Sequence, residues 1–190
     1  MLYQLLELRR KTSIVDRSQD RKFIVSDPEK CNGCSICEYV CSMANEKTFN
    51  PNKSRIRVTH INPLVNMAVS CRKCKDPVCV ASCPKNALSQ EESTGIIHVN
   101  EHACTGCGWC IGACSFGALN LHPDKKIVYT CNSCADTDNK GVPQCVQWCP
   151  EGALQYVTAE TLAQKARQKI VTQLLEVHKT ASKEDNSKNK

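Results

Sequence analysis

Large apolar side chains are scarce in this chain: two Trp, four Tyr and three Phe make up 5% of 190 residues. So few rings leave little bulk for an ordinary packed core. No apolar run reaches the roughly 18 residues of a membrane-spanning helix, so no transmembrane segment is expected. The stretch from Met1 to Leu8 lacks the apolar h-region and small-residue cleavage site of a secretory signal. Arg9-Arg10 is followed by Asp16-Arg17-Ser18-Gln19-Asp20, where a twin-arginine export signal needs an apolar segment. The expected location is the cytoplasm, where thiols stay reduced and cysteine-rich chains usually hold metal rather than disulfides.

Cysteine is what the chain has in abundance, 16 residues in four groups of four. Group one is Cys31, Cys34, Cys37 and Cys41, spaced C-x2-C-x2-C-x3-C. Group two is Cys71, Cys74, Cys79 and Cys83, followed by Pro84. Group three, Cys104, Cys107, Cys110 and Cys114, repeats the spacing of group one. Group four is Cys131, Cys134, Cys145 and Cys149, followed by Pro150. The C-x2-C-x2-C run with a fourth cysteine farther off is the ferredoxin arrangement for cubane iron–sulfur clusters. Three closely spaced thiolates curl round three corners of a cube, and the next cysteine lies one helical turn on and reaches the other cluster of a pair. Four ligands per cluster use all the cysteines and predict four [4Fe-4S] clusters. Structural zinc is the competing reading, but it usually takes two C-x2-C-type pairs. Group four by itself matches that pattern and group two nearly does, but groups one and three do not.

The net charge of +6, from 25 Lys and Arg against 19 Asp and Glu, hints at nucleic acid. Ligating thiolates would cancel that hint, and a zinc-ribbon nucleic-acid binder remains a distant alternative. Gly106-Cys107-Gly108-Trp109-Cys110-Ile111-Gly112 is no dinucleotide loop, because its third glycine is misplaced and cysteines fill the run. Its glycines are expected to let amides approach cluster sulfurs, and Trp109 and Trp148 are expected to shield clusters from water. The histidines, His60, His98, His102, His122 and His178, receive no metal role, because sixteen cysteines leave no coordination site vacant. For the same reason no iron is free to bind substrate, and no motif for nucleophilic catalysis occurs. The chain is expected to be non-catalytic by itself.

A repeat C-x-x-x-A-L follows three groups, at Cys83 to Leu88, Cys114 to Leu119 and Cys149 to Leu154. In each, the last ligand should end a short helix and a strand begin at the alanine. Hairpins are predicted from Ala87–Gln90 with Ile96–Asn100 across Ser93-Thr94-Gly95, and from Leu119–Leu121 with Ile127–Thr130 across Pro123-Asp124. Strands are expected at Lys22–Val25 and Arg55–Ile61. The fold class is α+β: two pseudo-symmetric bacterial-ferredoxin-like units in residues 22–158. An arm at 1–21 precedes them, with Leu2, Tyr3, Leu5, Leu6 and Leu8 as its apolar residues. Residues 159–180 read as an amphipathic helix with Leu162, Ala166, Ile170 and Leu174 on one face and Thr158 as N-cap. That helix is expected to cover the chain's own surface, and 181–190 to form a flexible polar tail.

The order of the four groups resembles the four-cluster ferredoxin-like subunits of large oxidoreductase complexes, over Lys22 to roughly Tyr156. Such subunits serve molybdenum or tungsten pterin enzymes, formate dehydrogenases, carbon monoxide dehydrogenases and hydrogenases. Phe49-Asn50-Pro51-Asn52-Lys53-Ser54-Arg55-Ile56-Arg57-Val58 looks most like those accompanying tungsten enzymes of the aldehyde ferredoxin oxidoreductase type. The resemblance implies a larger pterin-containing catalytic partner, with a ferredoxin or flavoprotein as acceptor. It also implies a ligand pairing. Cys31, Cys34, Cys37 and Cys149 would hold one cluster, and Cys41, Cys131, Cys134 and Cys145 its neighbour. Cys71, Cys74, Cys79 and Cys114 would hold the third, and Cys83, Cys104, Cys107 and Cys110 the fourth. Spacing alone fits the pairing of group one with two and three with four equally well. Ser42 and Ser115 stand where the resembling subunits have proline. A freestanding polyferredoxin is the main alternative.

Overall fold

The computed structural model describes residues 21–61, 65–137 and 141–188. The arm expected at 1–21 lies almost wholly outside the described residues. Four two-stranded antiparallel sheets and short helices make up a mixed helix and strand fold. Strand β1 (Phe23–Ser26) pairs with the last strand, β8 (Leu154–Val157), with Phe23 opposite Val157. Helix α1 (Ile36–Glu46) and a single 3-10 turn at Pro51–Lys53 lead into the hairpin β2 (Arg57–Ile61) and β3 (Val65–Val69). Then come α2 (Val78–Ala81), the hairpin β4 (Leu88–Gln90) with β5 (Ile97–Val99), and α3 (Trp109–Ala113). The hairpin β6 (Leu119–Leu121) with β7 (Val128–Thr130), then α4 (Gln144–Gln147), precede β8, and α5 (Ala159–Lys188) closes the chain.

Two cores result, and they are nested rather than consecutive. Both ends of the ferredoxin-like region form the first: Ile24, Cys37, Cys41, Ile56, Ala68, Cys131, Cys145 and Leu154. The middle forms the second, from Leu88, Ile97, Cys110, Leu119 and Val128. Cys71 packs against both. Buried serines staple the first core instead of bulky rings. Ser42 Oγ donates to the Tyr39 carbonyl, and Ser54 Oγ to that of Ile56. Serine at 42 in place of proline keeps an amide in the helix, and α1 runs on past Cys41 to Glu46.

The C-x-x-x-A-L repeat is one turn built three times. The amide of the residue before each alanine donates to the carbonyl of the last cysteine: Asn86 to Cys83, Gly117 to Cys114 and Gly152 to Cys149. All three adopt positive φ, at 47°, 61° and 57°, which favours Gly and Asn. The alanines and leucines that follow are buried, from 2% exposed at Ala153 to 5% at the leucines. The last cysteine lies one or two residues beyond the short helix, and the strand begins at the leucine rather than the alanine.

Three further expectations change. The strand β3, with Val65, Met67 and Val69 alternating, is absent from the sequence reading. Helix α5 continues to Lys188 instead of giving way to a tail at 181, since no Gly or Pro interrupts the chain after Gly152. Thr158 Oγ1 caps it, accepting from the Thr161 amide at 3.2 Å. Its apolar face does not cover the chain's own surface: Ile170 and Leu174 are each 56% exposed. Its ties to the body are polar, Lys165 to Gln155 and Lys169 to Glu29.

A seam of polar contacts joins the two halves. Tyr129 Oη donates to the Asn52 carbonyl at 2.8 Å, and Arg57 reaches both the Asn52 carbonyl and Tyr129 Oη. Lys53 pairs with Asp124 at 2.6 Å. Tyr129→Phe removes the hydroxyl that donates to the Asn52 carbonyl and accepts from Arg57, while keeping the ring. It should lower stability by about 1 kcal/mol, read as a lower denaturant midpoint in anaerobic unfolding.

Candidate metal centre

Two of the C-x2-C loops, Cys31 to Cys34 and Cys131 to Cys134, are curled by a local device. Asn32 Oδ1 accepts from the Cys34 amide at 3.0 Å, and Asn132 Oδ1 from that of Cys134 at the same distance. These Asx turns bend the chain so that two thiols two residues apart can face one point. Helix α1 then carries Cys37 and Cys41 one turn apart. Gly106 serves close packing rather than amide donation, since a Cβ there would stand 2.1 Å from the Lys126 carbonyl oxygen.

Thiols converge across groups. Cys37 faces Cys34, Cys31 and Cys149. Those same four line one cavity together with Val58, Ala68 and Leu154. Cys145 faces Cys131, Cys41 and Cys134. Cys79 faces Cys71, Cys114 and Cys74. Cys110 faces Cys83 and Cys104, and these three with Cys107 line a second cavity under Leu88 and Val128. Group one thus meets group four, and group two meets group three. Cys71 and Cys131 also face each other where the halves join.

The electrostatics call for a cationic centre. Burial pushes the thiols of Cys37 and Cys131 up to about 12 and that of Cys79 to about 11, with neighbouring thiols adding to the rise at Cys37 and Cys79. Burial raises Cys145 well above the ordinary value too. Such groups become thiolates at neutral pH when a metal supplies the opposing charge. Four thiols line the cavity at Cys31, Cys34, Cys37 and Cys149, and four line the one at Cys83, Cys104, Cys107 and Cys110. A cubane offers four iron corners, one for each thiolate, so the donor number and chemistry at these two cavities fit it.

Backbone amides reach the sulfurs. The amides of Ala87 and Ala118 donate to Cys83 Sγ and Cys114 Sγ at 3.3 and 3.4 Å, which gives the alanine of the repeat its second purpose. Arg55, Lys73 and Ser133 amides donate to Cys41, Cys71 and Cys131, and Asn45 Nδ2 adds a contact to Cys41. The backbone donors lie two or four residues beyond a cysteine, apart from Arg55, which donates from a distant loop, and the Asn45 side chain donates from helix α1. Hydrogen bonds of this kind tune cluster potential.

Trp109 and Trp148 do not shield the thiols. They are 69% and 62% exposed, with the Trp148 indole N–H held by Gln144. His122 lies in the interior at 4% exposed, and its Nδ1 accepts from the amides of Asp124 and Lys125. That bonding places its proton on Nε2, 3.6 Å from Glu46. Its place is between the halves and away from the thiol sets.

Two outcomes test this geometry. Cys149→Ser should alter the spectrum of the cluster facing Cys31, Cys34 and Cys37 and leave the signals of groups two and three near native. A change at group three instead would decide for the other pairing. Burial opposes ionisation of Cys83, but the amides of Ala87, Lys85, Leu88 and Asn86 outweigh it and pull that thiol below its ordinary value. In metal-free protein at neutral pH, an alkylating reagent should therefore label Cys83 before Cys37, Cys131 and Cys145, with labelling order read by peptide mass spectrometry.

Known proteins share this pattern. Residues 64–159 match the family model described as a 4Fe-4S dicluster domain, a span that holds groups two, three and four. The polyferredoxin-like subunit of an aliphatic sulfonate oxidoreductase from Pyrococcus furiosus is 41% identical over 143 residues, covering 74% of this chain and 80% of that protein. The ferredoxin-like protein YdhX of Escherichia coli is 35% identical, covering 70% of this chain and 64% of its own length. The thiosulfate reductase electron transfer subunit PhsB of Salmonella typhi is 33% identical, covering 70% and 73%. Among the described residues no helix is long and apolar enough to cross a membrane. With half of its residues under the family model and a ferredoxin-like relative at this identity, the chain belongs to the 4Fe-4S dicluster family of ferredoxin-like iron–sulfur proteins.

Proposed function

We propose that the chain is the electron-transfer subunit of an oxidoreductase complex, carrying four [4Fe-4S] clusters in two linked pairs. The ligand sets are Cys31, Cys34, Cys37 with Cys149; Cys41 with Cys131, Cys134, Cys145; Cys71, Cys74, Cys79 with Cys114; and Cys83 with Cys104, Cys107, Cys110. One observation carries this reading. All sixteen cysteines divide into four sets of four with none left over, so each iron has its thiolate and no iron is open to substrate. When bound, each cluster accepts and releases one electron. The chain's own residues hold the clusters at fixed spacing, exclude water and donate hydrogen bonds to sulfur.

The relatives' names support a wiring role, because two of the three describe subunits of larger oxidoreductases. The catalytic partner proposed is a cytoplasmic tungstopterin enzyme of the aldehyde oxidoreductase type, on the resemblance of residues 49–58. A ferredoxin or flavoprotein would accept the electrons, and nucleic acid has no part. Residues 22–158 form the cluster-bearing unit in this reading. Residues 1–21 and the exposed face of α5 provide apolar surface for the complex.

Anaerobic native protein should contain about 16 irons per chain, four for each of four cubanes, with matching sulfide and little zinc. About 8 irons with stoichiometric zinc would sink the four-cluster reading. Gel filtration and mass spectrometry should recover a larger oxidoreductase subunit, and deleting residues 1–21 should weaken that complex. A monomer without such a subunit would favour a freestanding polyferredoxin. A nickel–iron or formate-oxidising partner would correct the subtype.

A further inference from the structure

The pairing of β1 with β8 brings the N-terminal arm and helix α5 to one edge of the fold. Phe23 at the start of β1 lies opposite Val157 at the end of β8, and paired strands run about 4.8 Å apart. Helix α5 begins at Ala159, two residues beyond Val157, with Thr158 as its cap. Residues 1–20 join the described fold through Arg21, whose guanidinium is held by the carbonyls of Cys74 and Glu92. The arm therefore enters beside the point where α5 departs.

Helix α5 meets the body with one side and turns its apolar residues away. Lys165 bonds to Gln155, and Lys169 pairs with Glu29. Leu174 stands nine residues on from Lys165, about two and a half turns, which puts it on the opposite side of the helix. Ile170, Val171, Leu174 and Leu175 share that outer surface, each between 54% and 56% exposed. A helix draws most of its stability from packing such a stripe, and exposed polar ties like those of Lys165 and Lys169 contribute little.

We propose that residues 2–8 of the chain's own arm, four leucines and a tyrosine among them, cover the stripe formed by Ile170, Val171, Leu174 and Leu175. Reach allows it. Ile170 and Leu175 stand about 17 and 24 Å along the helix from Ala159. Leu8 lies 13 positions before Arg21, a span of about 43 Å as extended chain and about 20 Å as helix. Either form brings the leucines level with the stripe. Charge agrees as well: Asp16 and Asp20, between the leucines and Arg21, come level with Lys165, Arg167 and Lys169 in the first half of α5. The inference goes beyond the electron-transfer reading and concerns the free chain, in which the arm and α5 form one packed unit. They would then meet a catalytic subunit jointly.

Hydrogen–deuterium exchange read by mass spectrometry compares the anaerobically purified full chain with one lacking residues 2–20. Peptides from residues 162–177 should exchange about tenfold faster in the shortened chain, with metal content and the exchange of β1 and β8 near native. Leu6→Asp in the full chain should give the same acceleration. Unchanged exchange in both variants would overturn the inference. Where a variant loses its metal, a photo-crosslinking residue in place of Leu6 in the full chain decides. Irradiating a mixture of nitrogen-15 and unlabelled chains should join position 6 to a peptide from residues 162–177 of the same chain. Attachment between labelled and unlabelled chains would assign the stripe to a second copy. Protection of α5 that appears only with the catalytic subunit bound would assign it to that partner. Either result overturns the inference, as does attachment of position 6 elsewhere on the body.

Discussion

Sulfur takes the place that large apolar side chains fill in most small proteins. Half of the eight buried residues in the first core are cysteines, and its remaining bulk is little more than Ile24, Ile56 and Leu154. Burial raises the proton affinity of these thiols, to about 12 at Cys37 and Cys131, and neighbouring thiols add to the rise. A core of that kind is neutral only while protonated. A cationic centre in the space between the sulfurs would complete it, so cluster binding adds to the stability of the fold. The short helices follow from the same constraint. Helices α2, α3 and α4 are four or five residues long, below the length at which a helix in water holds itself together. Their persistence therefore falls to the groups packed against them, cysteines foremost.

Local rules made much of this legible. Cysteine spacing located the four groups, and the turns at Ser93-Thr94-Gly95 and Pro123-Asp124 marked two hairpins that the structure contains. The repeat ending in Ala-Leu marked three strand starts to within one residue. Signals that depend on distant residues were not legible. Strand β3 buries only Ala68 deeply, so its sequence carries a weak pattern. Trp109 and Trp148 adjoin cysteines in sequence, and adjacency was read as shielding, whereas their rings face solvent. The interior position of Lys73 depends on Tyr156, Arg21 and Gly95, each at least 21 residues away along the chain. No spacing rule could have found it.

Residues 49–58 show how a resemblance can rest on internal architecture. In the sequence this segment resembles subunits that serve tungsten enzymes. In the structure Asn52, Lys53 and Arg57 are spent on Tyr129 and Asp124 across the seam, and the Arg55 amide donates to Cys41 Sγ. The Val58 amide is held by Glu38, itself buried beside Cys37. The segment therefore sets the relation of the two halves. Phe49, at its start, is 72% exposed, so the segment also offers an apolar side chain at the surface.

Depth divides the four sets unequally. Cys34, Cys74 and Cys107 are exposed, giving three of the sets an edge at the surface. Cys41, Cys131, Cys134 and Cys145 are all buried, between 3% and 7% exposed. In the proposed assignment the cluster they hold has no direct access to a soluble donor. In that assignment its neighbours are the sets that contain Cys37 and Cys71, whose thiols add to the rise at Cys145 and Cys131. Reduction of so buried a cluster places added charge where water cannot solvate it, which by itself makes that site the hardest to reduce. The Arg55 and Ser133 amides, which donate to Cys41 and Cys131, are what this chain sets against that cost.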